Sequence, residues 1–121
     1  MTLRILSYNI LAGGENRLPL IASVIQQQQP DIVALQEARN RSNAESLAHQ
    51  LDMSLTFGEA HNTNKDHVVW LSRLPVIHAE NHPFPIFASS RLAERLSAYD
   101  IIREGDAESA SDHFPIWAGF S

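Results

Sequence analysis

Apolar and polar positions at the start of the chain change from a strand-like to a helix-like spacing. Residues 3–10 (LRILSYNI) have the mixed apolar pattern of a β-strand, and Gly13 and Gly14 then interrupt regular structure. Over residues 17–28 the apolar side chains recur at the spacing of one helix face, and Asn16 is the candidate N-cap. The residues on that face are Leu18, Ile21, Ala22 and Ile25. This segment therefore predicts a strand followed by an amphipathic helix.

The next pattern returns to a strand and then to a second helix. Pro30 stops the first helix, because the residue before a proline avoids the helical region, and residues 31–37 (DIVALQE) form a short apolar strand. Strand, helix and strand in succession predict a parallel pair of strands. Ser42 stands three residues before Glu45, the spacing of a capping box, so a second helix is predicted over residues 44–52.

The second half of the chain alternates between short strands, turns and one more helix. We predict strands at 54–58, 67–72 and 76–82, a helix that starts at Ser89 or Ser90, a strand at 101–104, a loop at 105–111 and a closing strand at 114–120. The predicted third helix has Leu92, Ala93 and Leu96 on its inner face, and the closing strand has Phe114, Ile116, Ala118 and Phe120 on one face. These elements predict the α/β fold class, and we expect a mixed β-sheet with helices on one face.

Composition narrows the class of protein. The 121 residues fit one domain (1–121), and the chain has no cysteine, which excludes disulfides and thiolate metal sites. A net charge of −5 without a basic stripe argues against strong nucleic-acid binding, since phosphate neutralisation drives such affinity. No apolar run approaches the ~18 residues that span a bilayer, and no signal peptide is recognised. We expect a cytoplasmic protein without a membrane span.

Two strand ends carry polar residues that do not serve a core. Asn9 lies near the end of the first strand, and Glu37 ends the second. In neighbouring parallel strands both side chains would gather at the sheet edge where open α/β sheets bind ligands. A carboxylate with an amide and several waters suits Mg²⁺ or Mn²⁺. From the pattern alone, a solvated turn made of Gln36, Glu37 and Arg39 is the favoured interpretation.

A third polar cluster, Ser111, Asp112 and His113, precedes the closing strand. A histidine beside an aspartate can act as a general base toward water. The alternative is that Asp112 caps a turn and that His113 is an ordinary residue at the edge of a strand. From the residues alone, the second interpretation is favoured.

Several motifs occur in the order found in one known family. LRILSYNIL, PDIVALQEA, LSRLPV, IFASSRLAERL and SDHFPIWAGF follow one another over nearly the whole chain. Together they resemble the motifs of the endonuclease/exonuclease/phosphatase superfamily. The resemblance implies half of a DNase-I-like four-layered α/β sandwich and a Mg²⁺- or Mn²⁺-dependent phosphoester hydrolase.

The resemblance also implies a role for each matching residue. Glu37 corresponds to the principal metal-binding carboxylate, and Asn9 to the amide that binds near the metal and the phosphate. Asp112 corresponds to the acid of the terminal motif, and His113 to the histidine that activates water or stabilises the transition state. The expected catalytic residues are thus His113, Asp112 and Asn9, and the expected metal ligands are Glu37 and Asn9.

The chain also departs from the family pattern. The central GDxN and RxDY motifs are missing, and ENHPFP runs directly into IFASS, so the apparent deletion joint lies near residues 82–86. The groups that orient the nucleophile and the catalytic histidine are lost with those motifs. We therefore expect weak metal binding and weak or absent turnover. A non-catalytic, truncated scaffold that self-associates through its exposed sheet face remains the alternative function.

Four histidines and two tryptophans are weaker candidates for a functional role. His61, His67, His78 and His82 fit no short zinc motif, although zinc needs three or four converging ligands. Trp70 on an apolar strand fits a core residue better than a ligand platform. Trp117 alternates away from its apolar neighbours, which makes it a candidate interface residue.

The intact family fold has two sheets packed face to face, and the resemblance implies that this chain keeps the first and lacks most of the second. This loss predicts a homodimer. One face of the sheet would expose more apolar surface than a soluble monomer tolerates, and the same face of a second copy would cover it across a two-fold axis. Light scattering after size exclusion should give twice the chain mass, with Trp70 or Trp117 in or beside the contact. A monomer that stays soluble at high concentration and binds no hydrophobic dye would contradict this expectation.

Overall fold

The computed structural model describes residues 3–58, 60, 66–76, 96–103, 107–111 and 116–120. In chain order its regular elements are β1 (Leu3–Asn9), α1 (Leu18–Gln28), β2 (Ile32–Gln36), α2 (Arg41–Leu51), β3 (Ser54–Gly58), β4 (Val68–Ser72), β5 (Leu96–Ile101), α3 (Ala107–Ala110) and β6 (Ile116–Phe120). A tight turn, Ala12–Gly14, lies between β1 and α1. The predicted strand–helix–strand start of the chain is therefore confirmed.

The strands form one mixed sheet. Its order is β3-β4-β2-β1-β6-β5. β1 and β2 run parallel, whereas the pairs β1–β6, β2–β4, β3–β4 and β5–β6 are antiparallel. The parallel pair occupies the centre, as expected for strands joined by a crossover helix. This arrangement confirms the predicted α/β class with a mixed sheet.

The hydrophobic core lies between the sheet and the two longer helices. Alternate residues of the central strands are fully buried there, and they pack with one stripe of α1 and one of α2. The largest of these side chains are Leu6, Tyr8, Ile10, Val33, Leu35, Val69 and Leu71 from the strands and their ends, with Ile21, Val24, Ile25 and Leu47 from the helices. Helix α1 contacts α2, so both helices cover the same face.

The opposite face of the sheet is less buried. Strand register places Ile5, Ile32 and Trp70 on that face, and each is partly exposed. Trp70 is thus a half-buried strand residue outside the main core. Trp117 pairs in register with Leu6, a residue of the helix-covered face. The predicted dimer through the opposite face remains a proposal.

The helix starts differ from the predicted ones. The N-cap of α2 is Asn40, whose Oδ1 accepts a hydrogen bond from Asn43 N at 3.1 Å, rather than Ser42 in a capping box. Helix α1 begins after Arg17, which makes no side-chain cap, so Asn16 is not its N-cap. Pro19 supplies the helical φ angle in the first turn instead.

Two predictions in the second half of the chain were wrong. Residues 96–101 form strand β5 rather than a helix end followed by a strand at 101–104, because pairing with β6 satisfies their backbone. The hydrogen bonds of this strand pair outweigh the weak helical spacing around Leu96. The predicted loop at 105–111 contains helix α3.

Other predicted features lie outside the described residues. These are the start of the helix at Ser89 or Ser90, most of the strand at 76–82, the joint near 82–86 and Phe114. Among the described residues, no helix has the length and apolar character needed to cross a membrane.

Tyr8 generates a pH-dependent prediction. Its side chain is fully buried, and its hydroxyl has no hydrogen-bond partner within the described part of the chain. Burial raises the pKa of Tyr8 to about 12, and the charge of Arg17 opposes this shift in part. Because the folded pKa exceeds the unfolded value near 10, stability is retained below pH 10 and lost as pH rises toward 12.

Replacing Tyr8 by Phe removes this dependence. At pH 8 we expect the unfolding free energies of wild type and Tyr8→Phe to agree within about 1 kcal/mol, since the hydroxyl makes no hydrogen bond to the described residues. Between pH 10 and 12 the wild type should lose up to about 2–3 kcal/mol relative to the variant. Denaturant unfolding at a series of pH values measures this difference. A difference that stays constant with pH would contradict the burial of the hydroxyl.

Candidate active site

The parallel pair brings Asn9 and Glu37 to one edge of the sheet. Asn9 is in register with Gln36, the last residue of β2, and Glu37 follows directly. Ile10 N donates to Gln36 O at 3.1 Å, which extends the pairing beyond the strand. The expected convergence at the carboxyl edge is therefore present. The catalytic and metal-binding roles of the two residues remain predictions.

The side chain of Asn9 is oriented by its own backbone. Its Oδ1 accepts a hydrogen bond from Leu11 N at 3.0 Å, which identifies that atom as the amide oxygen. The Asn9 NH₂ group makes no hydrogen bond to any residue that the structure describes. A fixed amide with open N–H donors suits a phosphate oxygen better than a metal ion.

Glu37 sits on an organised backbone rather than in a free turn. It adopts a left-handed conformation with φ 55°, and its carbonyl accepts hydrogen bonds from Gly13 N at 2.7 Å and Arg39 N at 2.8 Å. Its Oε2 accepts from Ala12 N at 3.3 Å, while the side chain stays 26% exposed. The carboxylate is thus held in place but still open to a ligand. This geometry argues against the alternative of a merely solvated turn.

The loop between β1 and α1 is strained and tightly held. Residues 11–15 all have positive φ angles, although only Gly13 and Gly14 lack a side chain. Asn43 Nδ2 donates to Gly13 O at 3.0 Å and to Glu15 O at 3.1 Å. Strained backbone of this kind persists only where surrounding bonds enforce it, and it clusters at functional sites.

The guanidinium group of Arg39 lies beside the carboxylate of Glu37. Arg39 Nε contacts Asp66 Oδ1 at 2.5 Å, and Arg39 Nη2 lies 3.8 Å from Glu37 Oε1. The hydrogen bond that Arg39 donates to Asp66, followed by the charges of Asp66, Glu37 and Glu15, raises the pKa of Arg39. The sequence pattern had assigned Arg39 only to a turn, because its partner Asp66 lies 27 positions away.

Ser111, the first residue of the predicted terminal cluster, contacts the same edge of the sheet. The buried Ser111 donates from Oγ to Asn9 O at 2.7 Å. Asp112 and His113 lie outside the described residues, so their predicted roles are not tested. Ser111 places the start of the SDH segment against the strand that carries Asn9.

Metal ligation rests on few described groups. Among the described residues, no three His, Cys, Asp or Glu side chains converge on one point. Glu37 alone offers a partly open carboxylate beside Asn9, which would leave Mg²⁺ or Mn²⁺ largely hydrated. This donor set fits a weakly held hard cation.

The zinc alternative gains no support from His67. Its Nδ1 accepts a hydrogen bond from Ala60 N at 2.9 Å, and its ring lies 4.7 Å from that of Phe57. His67 is buried and anchors the end of β3. His61, His78 and His82 lie outside the described residues.

The fold and this edge define an α/β protein with polar groups at the ends of a central parallel pair. The sequence profile described as "Endonuclease/Exonuclease/phosphatase family" matches residues 6–115. The chain belongs to this family, whose members are phosphoester hydrolases, nucleases and phosphatases among them, that generally use divalent metals. No curated protein sequence matches the chain significantly.

Solved structures resemble parts of the chain at low sequence identity, and the first of them shares its fold. A family protein from Leptotrichia buccalis C-1013-b is 19% identical with a TM-score of 0.51, and the match covers 63% of this chain and 39% of that one. An AP endonuclease from Archaeoglobus fulgidus is 24% identical (TM-score 0.46; 58% and 27% covered). A truncated TDP2 from Caenorhabditis elegans is 16% identical (TM-score 0.48; 84% and 34% covered). The chain thus spans less than half the length of these proteins.

The strained loop predicts different effects at its two glycines. A Cβ on Gly13 would lie 2.8 Å from the backbone N of Asn40, whereas one on Gly14 would meet flexible side-chain ends of Ile21 and Leu18 at 3.0 Å. Both positions have positive φ, so both alanine variants are strained. Gly13→Ala should therefore cost more, about 2–4 kcal/mol against about 1–2 kcal/mol for Gly14→Ala. Urea unfolding measures both values, and equal losses would contradict the close backbone approach.

Proposed function

We propose that this chain carries a divalent-metal-dependent phosphoester hydrolase site at the carboxyl edge of the parallel pair. The observation that carries the proposal is the juxtaposition of Asn9 and Glu37 in a chain that belongs to this family. The strained, hydrogen-bonded loop beside them supports it, since such loops hold functional groups in place.

Each residue has a distinct chemical task in this proposal. Glu37 holds the cation, and Asn9 donates its side-chain N–H groups to a phosphoryl oxygen. His113, with Asp112 beside it, accepts the proton of the attacking water. The metal, when bound, stabilises the charge that develops on the phosphoryl oxygens.

We propose that turnover is far below that of family members with the complete motif set. The central GDxN and RxDY motifs are missing from this sequence, and catalytic groups that act together lose most of their effect when one is removed.

The second candidate is a non-catalytic scaffold. The partly exposed apolar residues Ile5, Ile32 and Trp70 on the open sheet face favour self-association there. A dimer without metal-dependent turnover would fit this function. The two candidates differ in whether the chain hydrolyses phosphoesters in a metal-dependent reaction.

Metal binding and turnover in carboxylate variants test the proposal. Glu37→Gln removes the charge but keeps an oxygen that can accept from Ala12 N, so the loop should survive. Glu45→Gln is the matched control, because Glu45 is 59% exposed and pairs with Arg41, away from the proposed site. By calorimetry we expect Glu37→Gln to bind Mn²⁺ about tenfold more weakly or worse, and Glu45→Gln to match the wild type.

Phosphodiester hydrolysis completes the experiment. Any Mn²⁺-dependent rate of the wild type should fall in Glu37→Gln and by about 10²–10⁴-fold in His113→Ala. Equal Mn²⁺ binding by wild type and Glu37→Gln would remove Glu37 from the site. A robust rate that survives His113→Ala would show that another group is the base.

A further inference from the structure

Arg17 turns its side chain away from the helix that it precedes. Its carbonyl accepts from Ile21 N at 3.0 Å in the first turn of α1, but its guanidinium does not cap the helix. Instead Nη2 donates to Ile10 O at 3.1 Å and to Leu11 O at 2.6 Å, and Nη1 donates to Ala110 O. One side chain thus binds three carbonyls from two distant parts of the chain.

These carbonyls belong to two segments that adjoin the proposed site. Ile10 and Leu11 directly follow Asn9, whose Oδ1 is held by Leu11 N. Ala110 ends α3 and precedes Ser111, which donates to Asn9 O. The planar fork of a guanidinium can bond several acceptors at fixed angles, whereas an ammonium acts as a point charge. The arrangement therefore locks the end of β1 and the end of α3 together.

We propose that Arg17 is a positioning residue that sets Asn9 and the segment entering Asp112 and His113 in one fixed relation. The inference rests on the proposed function for its catalytic consequence, but the clamp itself can be measured without it. No motif pointed to Arg17, because its acceptors are backbone groups that leave no pattern in the sequence.

Hydrogen exchange tests the clamp in the protein without metal. Arg17→Met keeps the length of the side chain and removes its donors, and no side-chain cap is lost. We expect the amides of Leu11 and Gly13 to exchange about tenfold faster or more, while β4 amides are unchanged. Arg17→Lys should give an intermediate effect. Arg41→Met is the matched control, since Arg41 is 62% exposed on α2, and it should change neither group.

Paramagnetic broadening by Mn²⁺ tests the positioning role. In the wild type, bound Mn²⁺ should broaden the amide resonances of Gln36, beside Glu37, and of Ser111. In Arg17→Met the broadening at Gln36 should persist, and that at Ser111 should weaken at least about twofold as the segment moves away. Arg17→Lys should restore part of it.

The outcomes separate the inference from the proposed function. The role of Arg17 would be overturned if Arg17→Met left the exchange of Leu11 and Gly13 unchanged. It would also be overturned if Arg17→Met, with Mn²⁺ bound, left the broadening at Ser111 unchanged. Either result would leave the metal site intact. No broadening at Gln36 in the wild type would overturn the proposed metal site. The exchange experiment would then still decide whether Arg17 fixes the two segments.

Discussion

The parallel pairing of β1 with β2 is the constraint on which the rest of the structure depends. Its register sets Asn9 opposite Gln36 and so brings Glu37 beside the end of β1. The same register aligns Leu6 with Val33 and Tyr8 with Leu35, so one face of the pair is continuously apolar. A shift by one residue would move these side chains to the other face and remove the core under α1 and α2.

The loop after β1 shows how a polar edge is kept rigid on this core. Five consecutive positive φ angles are costly, and the loop is held by bonds from Asn43, by the carbonyl of Glu37 and by the guanidinium of Arg17. The donors come from α2 and the start of α1, two helices that the core already fixes. Packing of the helices therefore stabilises the geometry of Asn9 and Glu37 at a distance.

Charged and polar side chains from distant segments also meet at this edge of the sheet. Arg39 lies between Glu37 and Asp66, so the carboxylate of Glu37 has a neighbouring cation without being closed off. Ser111 and Arg17 connect the last part of the chain to the first, through contacts that span 102 and 93 positions. The site is thus assembled from segments that are remote in sequence, and the pairing of β6 with β1 helps to bring the last of them to this edge.

Local patterns in the sequence determined the opening strand–helix–strand unit, the parallel pair and the candidate pair Asn9 and Glu37. Periodicity and turn residues act over a few positions, and strand ends at a common edge follow from connectivity alone. The sequence motifs also carried the family resemblance. The local patterns misplaced the helix caps at Asn16 and Ser42, and they assigned residues 96–101 in part to a helix. Capping and strand pairing depend on neighbours that are distant in the sequence, so local patterns do not determine them. Only the tertiary structure decided that Arg39 meets Asp66 and that Arg17 binds three carbonyls, since contacts between a side chain and distant backbone leave no periodic signal in the chain.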